Sequence, residues 1–343
     1  MWTKTKSATQ GHYFNVAVVF LLIIPVDVLA WSLNNFLMTG PKAYLTYADS
    51  VASGALMGVE ECKEQFKWDR WNCPENTIPF FSHGSFKKAD KETSFVHAIS
   101  AAGVMYTLTR NCSMGHFENC GCDNSKKGLQ GGPNWKWGGC SDNVNFGERI
   151  SKLFVDSLET GKDALAIMNI HNNDAGRRAV RKTLKLTCKC HGVSGSCTTK
   201  TCWHQLPDFR DVGNWLKKKY QRAIRVDSIN GELRNARRNQ GLMSVSKNDL
   251  VYLEHSPNYC KANLTAGSFG TVGRECIKPR KKDKGSTRWE RKSCRRLCTS
   301  CGLKVRKRYV EVTSSCNCKF QWCCSVKCET CRQKVVKFTC ALR

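Results

Sequence analysis

The chain has 343 residues, a formal net charge of +27 at neutral pH and 22 cysteines. This length is sufficient for two domains with a sizeable core. So many cysteines are typical of an exported, disulfide-bonded protein, and an exported cation meets sulfated polysaccharides outside the cell instead of nucleic acid.

The N-terminus has the pattern of a secretory signal peptide. Two lysines precede an apolar run at 14–24, and small residues follow where a peptidase would cleave. A membrane anchor is the alternative, but Pro25 and Asp27 interrupt the run before it is long enough to cross a bilayer. We therefore expect residues 1–30 to be removed, leaving Trp31 as the mature N-terminus of a secreted chain.

The cysteines fall into two blocks. Ten lie between Cys62 and Cys202, none in the next 57 residues, and twelve between Cys260 and Cys340. Each block has an even number, so each can pair internally as a separately cross-linked domain. Pairs with CxxC spacing, such as Cys298 and Cys301, would also suit zinc, but oxidising export favours disulfides, and no metal is expected.

Apolar spacing predicts a helical first domain, with helices at 41–60, 92–110, 150–158, 164–186 and 208–226. Cys62 and Cys73 are expected to form a local bridge under Trp68 and Trp71, which are assigned to the core. Residues 112–140 are glycine-rich short loops, in which four cysteines replace an extended core.

The rest of the chain has less periodicity. Residues 228–247 are polar and basic and are interpreted as an exposed linker, followed by a short strand at 249–254. Beyond Cys260, alternating pieces at 307–313 and 335–339 predict strands held by disulfides, each worth about 2–4 kcal/mol. The predicted fold is a disulfide-rich α+β protein, with a helical N-terminal domain at 31–227, a linker region at 228–259 and a small cysteine-rich β-hairpin domain at 260–343.

One stretch, 188–203, is organised as a projecting hairpin. Its cysteines can form two nested bridges, Cys190 to Cys197 inside Cys188 to Cys202, around a tip with Ser194 between two glycines. A hydrolase interpretation is disfavoured because the run GVSGS lacks the last glycine of a nucleophile elbow. His191 has no obvious way to reach back as a base. That Ser194 is only a small turn residue stays open from spacing alone.

A second cross-linked hairpin is predicted at 316–331. Nested pairing of Cys316 with Cys331 and Cys318 with Cys328 would leave the adjacent Cys323 and Cys324 to bridge each other at the tip. Phe320 and Trp322 lie beside this tip, where large aromatic side chains are candidates for a binding hot spot. The alternative is that they cover the disulfides of their own domain.

Basic residues and glycosylation sequons complete the candidate sites. Residues 278–308 hold fourteen Lys or Arg against two acidic residues. This density favours heparan sulfate binding, and the alternative is a solvated basic face. The residues assigned to this site are Lys278, Arg280, Lys281, Lys282, Arg295 and Arg296. Asn111 and Asn263 begin N-glycosylation sequons, and Cys112 at the middle of the first makes its glycan compete with a disulfide.

The run CKCHGVSGSC at 188–197 resembles the signature of the Wnt family of secreted signalling proteins. The resemblance covers the chain from Trp31 to Arg343, and the segments at 31–40 and 94–103 look closest to the eighth Wnt class. It implies a palmitoleoyl ester on Ser194 and docking of this lipid into the cysteine-rich domain of a Frizzled receptor. The contacts it implies are made by Val193, Ser194 and Gly195 of the first hairpin (the thumb) and Phe320, Gln321, Trp322, Cys323 and Cys324 of the second (the index finger).

The resemblance implies further partners and bonds. A lipoprotein-receptor-related co-receptor, a membrane-bound acyltransferase and a secretory carrier are expected, and a role in development and cell-fate specification. No cofactor is implied beyond the covalent lipid and N-glycans. The remaining implied disulfides are Cys62–Cys73, Cys112–Cys120, Cys122–Cys140, Cys260–Cys301, Cys276–Cys294 and Cys298–Cys340.

The function expected from these features is that of a secreted, palmitoleoylated Frizzled ligand in the extracellular space and matrix, and not of an enzyme. The main alternative is a non-acylated, heparin-binding matrix or growth-factor-like protein on the same scaffold. A secreted hydrolase is a weaker third possibility, since it needs Ser194 as a nucleophile.

Overall fold

A computed structural model describes residues 41–74, 88–159, 161–229, 231–236, 245–264, 268–278 and 288–343. The predicted signal peptide, Trp31 and the basic residues Arg280, Lys281 and Lys282 lie outside these ranges. The described part of the first domain contains five long helices: α1 (Pro41–Phe66), α2 (Lys91–Ser113), α3 (Val144–Asp156), α4 (Ala164–Thr183) and α5 (Phe209–Gln221). Within the described parts of the chain, no helix is long and apolar enough to cross a membrane.

Helix α2 is the centre of this domain, and every residue from Ser94 to Thr109 is buried. Its first turn is capped by Asp90, whose carboxylate accepts the Thr93 backbone N–H at 2.8 Å. Helix α1 crosses it closely, because a Cβ on Gly54 would lie 2.6 Å from the carbonyl oxygen of Gly103. Side chains larger than hydrogen would force these two helices apart.

Helices α4 and α5 end earlier than predicted. The chain after Thr183 enters strand β3 (Lys185–Cys190), and the chain after Gln221 enters strand β5 (Ile224–Ile229). Ile224, assigned from its spacing to a helix face, therefore lies in a strand. An apolar residue at a helix end fits the helical period and the following strand equally well.

The predicted linker is partly built into the first domain. Strand β5 pairs with β6 (Glu232–Asn235) and, in parallel, with β7 (Val251–Tyr252). Val226 and Val251 are buried against Met168 of α4. Tyr259 is buried in the core around α2. Part of the stretch between 228 and 259 is thus a sheet on the helical domain instead of an exposed connection.

The C-terminal domain is a long ribbon on a small disulfide core. Short strands β8 (Ala262–Asn263) and β9 (Ser268–Phe269) pair with each other. Strand β10 (Glu275–Cys276) joins the ribbon of β11 (Lys304–Gln321) and β12 (Ser325–Ala341). Two short helices, α6 (Arg288–Arg291) and α7 (Ser293–Leu297), precede the ribbon. The core beneath it is formed by Cys276, Cys294, Leu297, Cys298 and Cys340.

The turn after α1 joins the two domains. Trp71 is buried against Phe66, as expected for core, whereas Trp68 packs on the C-terminal disulfide core. Asp69 accepts a 2.6 Å hydrogen bond from Lys217 of α5 and forms an ion pair with Arg296 of the C-terminal domain. Both cations therefore meet on one carboxylate between the domains.

Candidate functional site

The first predicted hairpin is formed by β3 and β4 (Lys200–Gln205), which pair antiparallel with Cys188 opposite Cys202. These two cysteines are bonded, with Cα atoms 4.0 Å apart. Cys190 and Cys197 are also bonded, nearer the tip. Two cross-links within so short a hairpin restrict its internal motion, so the tip is held at a fixed place on the fold.

The tip is a tight backbone turn. Ser194 has φ 56° and Gly195 has φ 77°, so two successive residues adopt the left-handed conformation, as in a type I′ turn. The Ser196 N–H donates to the Val193 carbonyl at 3.1 Å, and the Gly192 N–H donates to the Ser196 carbonyl at 2.8 Å. The turn is thus closed by its own backbone.

The side chains of the tip face solvent. Val193 is 90% exposed, and Ser194 is exposed beside it. In the part of the chain that the structure describes, no hydrogen bond is made by the Ser194 hydroxyl, whereas the neighbouring Ser196 hydroxyl lies 3.5 Å from that of Thr198. Among the described residues, no histidine or carboxylate forms a hydrogen bond with the Ser194 hydroxyl.

A second pair of strands extends the hairpin into a larger sheet, and these strands were not predicted from the sequence. Strand β1 (Gln130–Gly132) pairs with β2 (Trp135–Trp137), and β2 runs parallel to β4, with Trp137 beside Cys202. Cys122 and Cys140 are bonded, which closes this segment onto itself. The hairpin is therefore half of a four-stranded sheet, in the order β1-β2-β4-β3.

Contacts at the base of β4 fix the hairpin on the helical domain. The Trp137 ring lies 4.8 Å from the His204 ring, and the Leu206 N–H donates to the Asp142 carboxylate at 2.6 Å. Burial, followed by the Lys126 ammonium, lowers the pKa of His204. The imidazole is therefore neutral near pH 7 and packs as an aromatic ring.

The second hairpin is the far end of the β11–β12 ribbon. It is cross-linked by Cys316–Cys331 and Cys318–Cys328, with a bulge between Cys316 and Lys319. Trp322 is 95% exposed and Phe320 is 72% exposed, with Gln321 exposed between them. The alternative that these aromatics cover their own disulfides does not fit this exposure.

The adjacent Cys323 and Cys324 correct one expected bond. Their sulfur atoms are 3.7 Å apart, well beyond the roughly 2.05 Å of a disulfide, and both are exposed thiols. Both residues have positive φ and form the turn of the ribbon. This turn separates the two sulfur atoms. The other ten expected pairs, including Cys62–Cys73, Cys112–Cys120 and Cys260–Cys301, are bonded in the structure.

The remaining predicted sites differ in accessibility. Lys278 and Arg295 are exposed, but Arg296 is half-buried in the ion pair with Asp69, and burial lowers its pKa to about 10. The assignment of Arg296 to a heparan sulfate site is therefore corrected, because its charge is used between the domains. Asn263 is exposed in β8, whereas the Asn111 amide lies within α2 and donates to the Ser50 hydroxyl at 2.9 Å.

Comparison with known proteins agrees with this architecture. The family model described as the wnt family matches residues 33–341. Mouse Wnt-8b is 61% identical over 316 residues, covering 91% of this chain and 89% of the relative. Xenopus laevis Wnt-8 is 60% identical over 321 residues, covering 92% of this chain and 89% of the relative.

A solved structure is also similar. The structure of human WLS in complex with WNT8A contains a chain that matches at 56% identity and a TM-score of 0.67, covering 91% of this chain and all of that one. Wnt proteins are signalling ligands and not enzymes. By its family model, its relatives and its two cross-linked hairpins, the chain belongs to the Wnt family of secreted signalling proteins, among homologues of Wnt-8.

Proposed function

We propose that this chain is a ligand that carries a palmitoleoyl ester on Ser194 and binds the cysteine-rich domain of a Frizzled receptor. The observation that carries the proposal is the exposed Ser194 hydroxyl, which has no partner in the described structure and stands at the tip of a doubly cross-linked hairpin. An acyltransferase needs a hydroxyl that is accessible and held in one place, and this hairpin supplies both.

The lipid supplies the main driving force of the proposed interaction. At about 0.8 kcal/mol per buried methylene, a sixteen-carbon chain has roughly 10 kcal/mol of transfer free energy. Because the hairpin is already rigid, little ordering entropy is lost on docking. The same free energy opposes free diffusion in water, so a secretory carrier that shields the lipid is part of the proposal. The similarity to a WNT8A chain that was solved in complex with WLS supports the proposal of a carrier.

The index finger supplies a second contact. Phe320 and Trp322 present aromatic surface on a ribbon tip with no core of its own, together with the backbone turn at Cys323 and Cys324. Large aromatic side chains of this kind carry much of the binding free energy in protein interfaces. We propose that this tip contacts the same receptor domain as the thumb.

The proposal also includes extracellular binding partners and N-glycans. The exposed Lys278 and Arg295, with the basic residues between them, are proposed to bind heparan sulfate and to retain the protein in the matrix. We further propose that the ligand engages a lipoprotein-receptor-related co-receptor and carries N-glycans on Asn263 and Asn111. The glycan on Asn111 would have to be added before α2 forms, because the folded helix holds this amide against Ser50.

The test compares two serines that are two residues apart. The secreted chain and its Ser194→Ala and Ser196→Ala variants are purified, and their affinity for a Frizzled cysteine-rich domain is measured by surface plasmon resonance. Ser194→Ala should lose binding while Ser196→Ala retains it, with the same disulfides in both. Full binding by Ser194→Ala would refute the proposed lipid docking.

A further inference from the structure

A groove lies between the two domains, beside the turn that follows α1. Its volume is about 680 Å³, within the roughly 300–1,000 Å³ usual for ligand sites. One wall belongs to the end of α1 and the turn after it, with Lys67 and Trp68. The other wall belongs to the C-terminal domain, with Phe269, Arg274 and Glu275. A ligand in this groove would therefore contact both domains, and its described lining contains no residue of the thumb or of the index finger.

The shape of the groove is fixed by contacts that the chain makes itself. The Cys62–Cys73 disulfide joins α1 to the turn, and both cysteines are buried. From the C-terminal domain, the Arg274 guanidinium donates to the Arg70 carbonyl at 2.8 Å and to the Lys67 carbonyl at 2.9 Å. Because these contacts hold both walls, little ordering entropy would be lost when a ligand binds.

The groove has an excess of positive charge. Arg274 is half-buried, and in the part of the chain that the structure describes no carboxylate pairs with its guanidinium. Lys67 adds a second cation, which is 52% exposed and lies 3.7 Å from the Glu64 carboxylate. Glu275 is the only carboxylate in the described lining, and it already accepts a 2.7 Å hydrogen bond from Lys337. An anionic group in the groove would therefore offset charge that these contacts leave uncompensated.

Apolar surface lies beside these cations. Trp68 is packed against the C-terminal disulfide core, and the Lys67 ammonium is 5.4 Å from the centre of its ring. Phe269 of β9 is 61% exposed. Among the described residues that line the groove, Asn72 has the only amide side chain and none has a hydroxyl. A sugar, which needs several polar partners, matches this lining poorly, whereas an acidic peptide with an apolar side chain matches it well.

We propose that this groove binds an extended acidic segment of a partner protein. One carboxylate of the segment would accept hydrogen bonds from the Arg274 guanidinium, and a second would lie near the Lys67 ammonium. A leucine-like side chain of the segment would pack on Trp68 and Phe269. The inference goes beyond the proposed receptor contacts, because it assigns a third surface, at the domain junction, that does not depend on the lipid.

Fluorescence anisotropy tests this proposal, with the full-length secreted chain titrated into a fluorescein-labelled peptide. The peptide is a short run of alternating glutamate and leucine. It is compared with one in which glutamine replaces glutamate and one in which serine replaces leucine. The acidic leucine peptide should bind at least about tenfold more tightly than either of the others, since charge-assisted hydrogen bonds and apolar burial both contribute. The Ser194→Ala chain should bind it as tightly as the unchanged chain.

Matched substitutions at exposed positions locate the bound peptide. Phe269→Ser should weaken binding at least about fivefold, whereas Leu264→Ser, at a 70% exposed position outside the groove, should change it less than about twofold. Lys67→Gln should weaken binding about threefold, and Lys152→Gln, exposed on α3, should leave it unchanged. Arg274→Gln should weaken it at least about tenfold. If the loss of its two carbonyl contacts prevents folding of that variant, the exposed pairs decide the test.

Four results would overturn the site. Equal losses from Phe269→Ser and Leu264→Ser would show adsorption to apolar surface in general. Equal affinity for the glutamine peptide would exclude recognition of charge, and equal affinity for the serine peptide would reduce the groove to simple anion binding. Loss of binding in Ser194→Ala would place the peptide on the lipid instead of in the groove.

Discussion

Replacing Asp69 by asparagine should loosen the contact between the two domains. The carboxylate lies 2.6 Å from the Lys217 ammonium, and both side chains are about one-tenth exposed (10% and 9%). The Arg296 guanidinium pairs with the same carboxylate from the C-terminal domain and is 29% exposed. Asp69→Asn would leave the Arg296 guanidinium and the Lys217 amine, whose pKa burial lowers to about 6, facing a neutral amide in a poorly solvated space.

The expected cost follows from this burial. Breaking a buried ion pair by removing one partner costs about 3–5 kcal/mol of unfolding free energy. Because Arg296 is partly exposed and burial lowers the pKa of Lys217 to about 6, so that this amine can lose its proton, we expect a loss of no more than about 3 kcal/mol. The ribbon provides a matched control, because Glu311 pairs with Lys334 at an exposed position. Glu311→Gln makes the same chemical change and should cost less than about 0.5 kcal/mol.

Hydrogen exchange measured by mass spectrometry, together with urea denaturation, tests this prediction. Asp69→Asn should speed exchange in helix α7 and at 67–71, where Arg274 donates to the carbonyls of Lys67 and Arg70, and should lower the urea midpoint. Glu311→Gln should leave the exchange rates and the urea midpoint unchanged. Equal exchange in the two variants would refute the claim that Asp69 joins the domains.

Three further predictions concern pH, the thumb and the ribbon tip. Burial lowers the pKa of His97 from 6.5 to about 4. Between these two pH values the unfolded chain therefore binds more protons than the folded chain. His97 should therefore contribute a loss of about 2 kcal/mol of stability from pH 7.5 to pH 5, measured in thermal melts as the difference between the unchanged chain and His97→Gln. Gly192→Ala places a Cβ 2.6 Å from the Ser196 carbonyl oxygen. It should reduce the acylated fraction seen by mass spectrometry, whereas Gly121→Ala, with open space around it, should not. Trp322→Ala should weaken receptor binding by about 2 kcal/mol or more in plasmon resonance, and an unchanged affinity would contradict a hot spot.

The helices and the thumb could be predicted because their signals are local. Apolar residues at helical spacing place α2 and α5, and the paired cysteines around Ser194 predict the hairpin without any distant partner. Only the helix ends were wrong, as at Ile224, where one apolar residue suits either a helix or a strand.

Other parts of the structure depend on partners far along the chain. Strand β2 has three residues, too few to show a period, and it pairs with β4 about sixty-five residues later, at Trp135 and Lys200. Asp69 meets cations from positions 217 and 296, and nothing near it in sequence indicates either one. The ribbon was predicted only as short pieces, because strands exposed on both faces lack the alternation of a half-buried sheet.

The most direct test of the proposed ligand is mass spectrometry of the intact secreted chain and of its peptide containing Ser194. We predict a monounsaturated sixteen-carbon acyl ester on Ser194, none on Ser196, and loss of the adduct in Ser194→Ala. A secreted, receptor-active chain with an unmodified Ser194 peptide would contradict the lipid mechanism. It would favour the non-acylated, heparin-binding alternative.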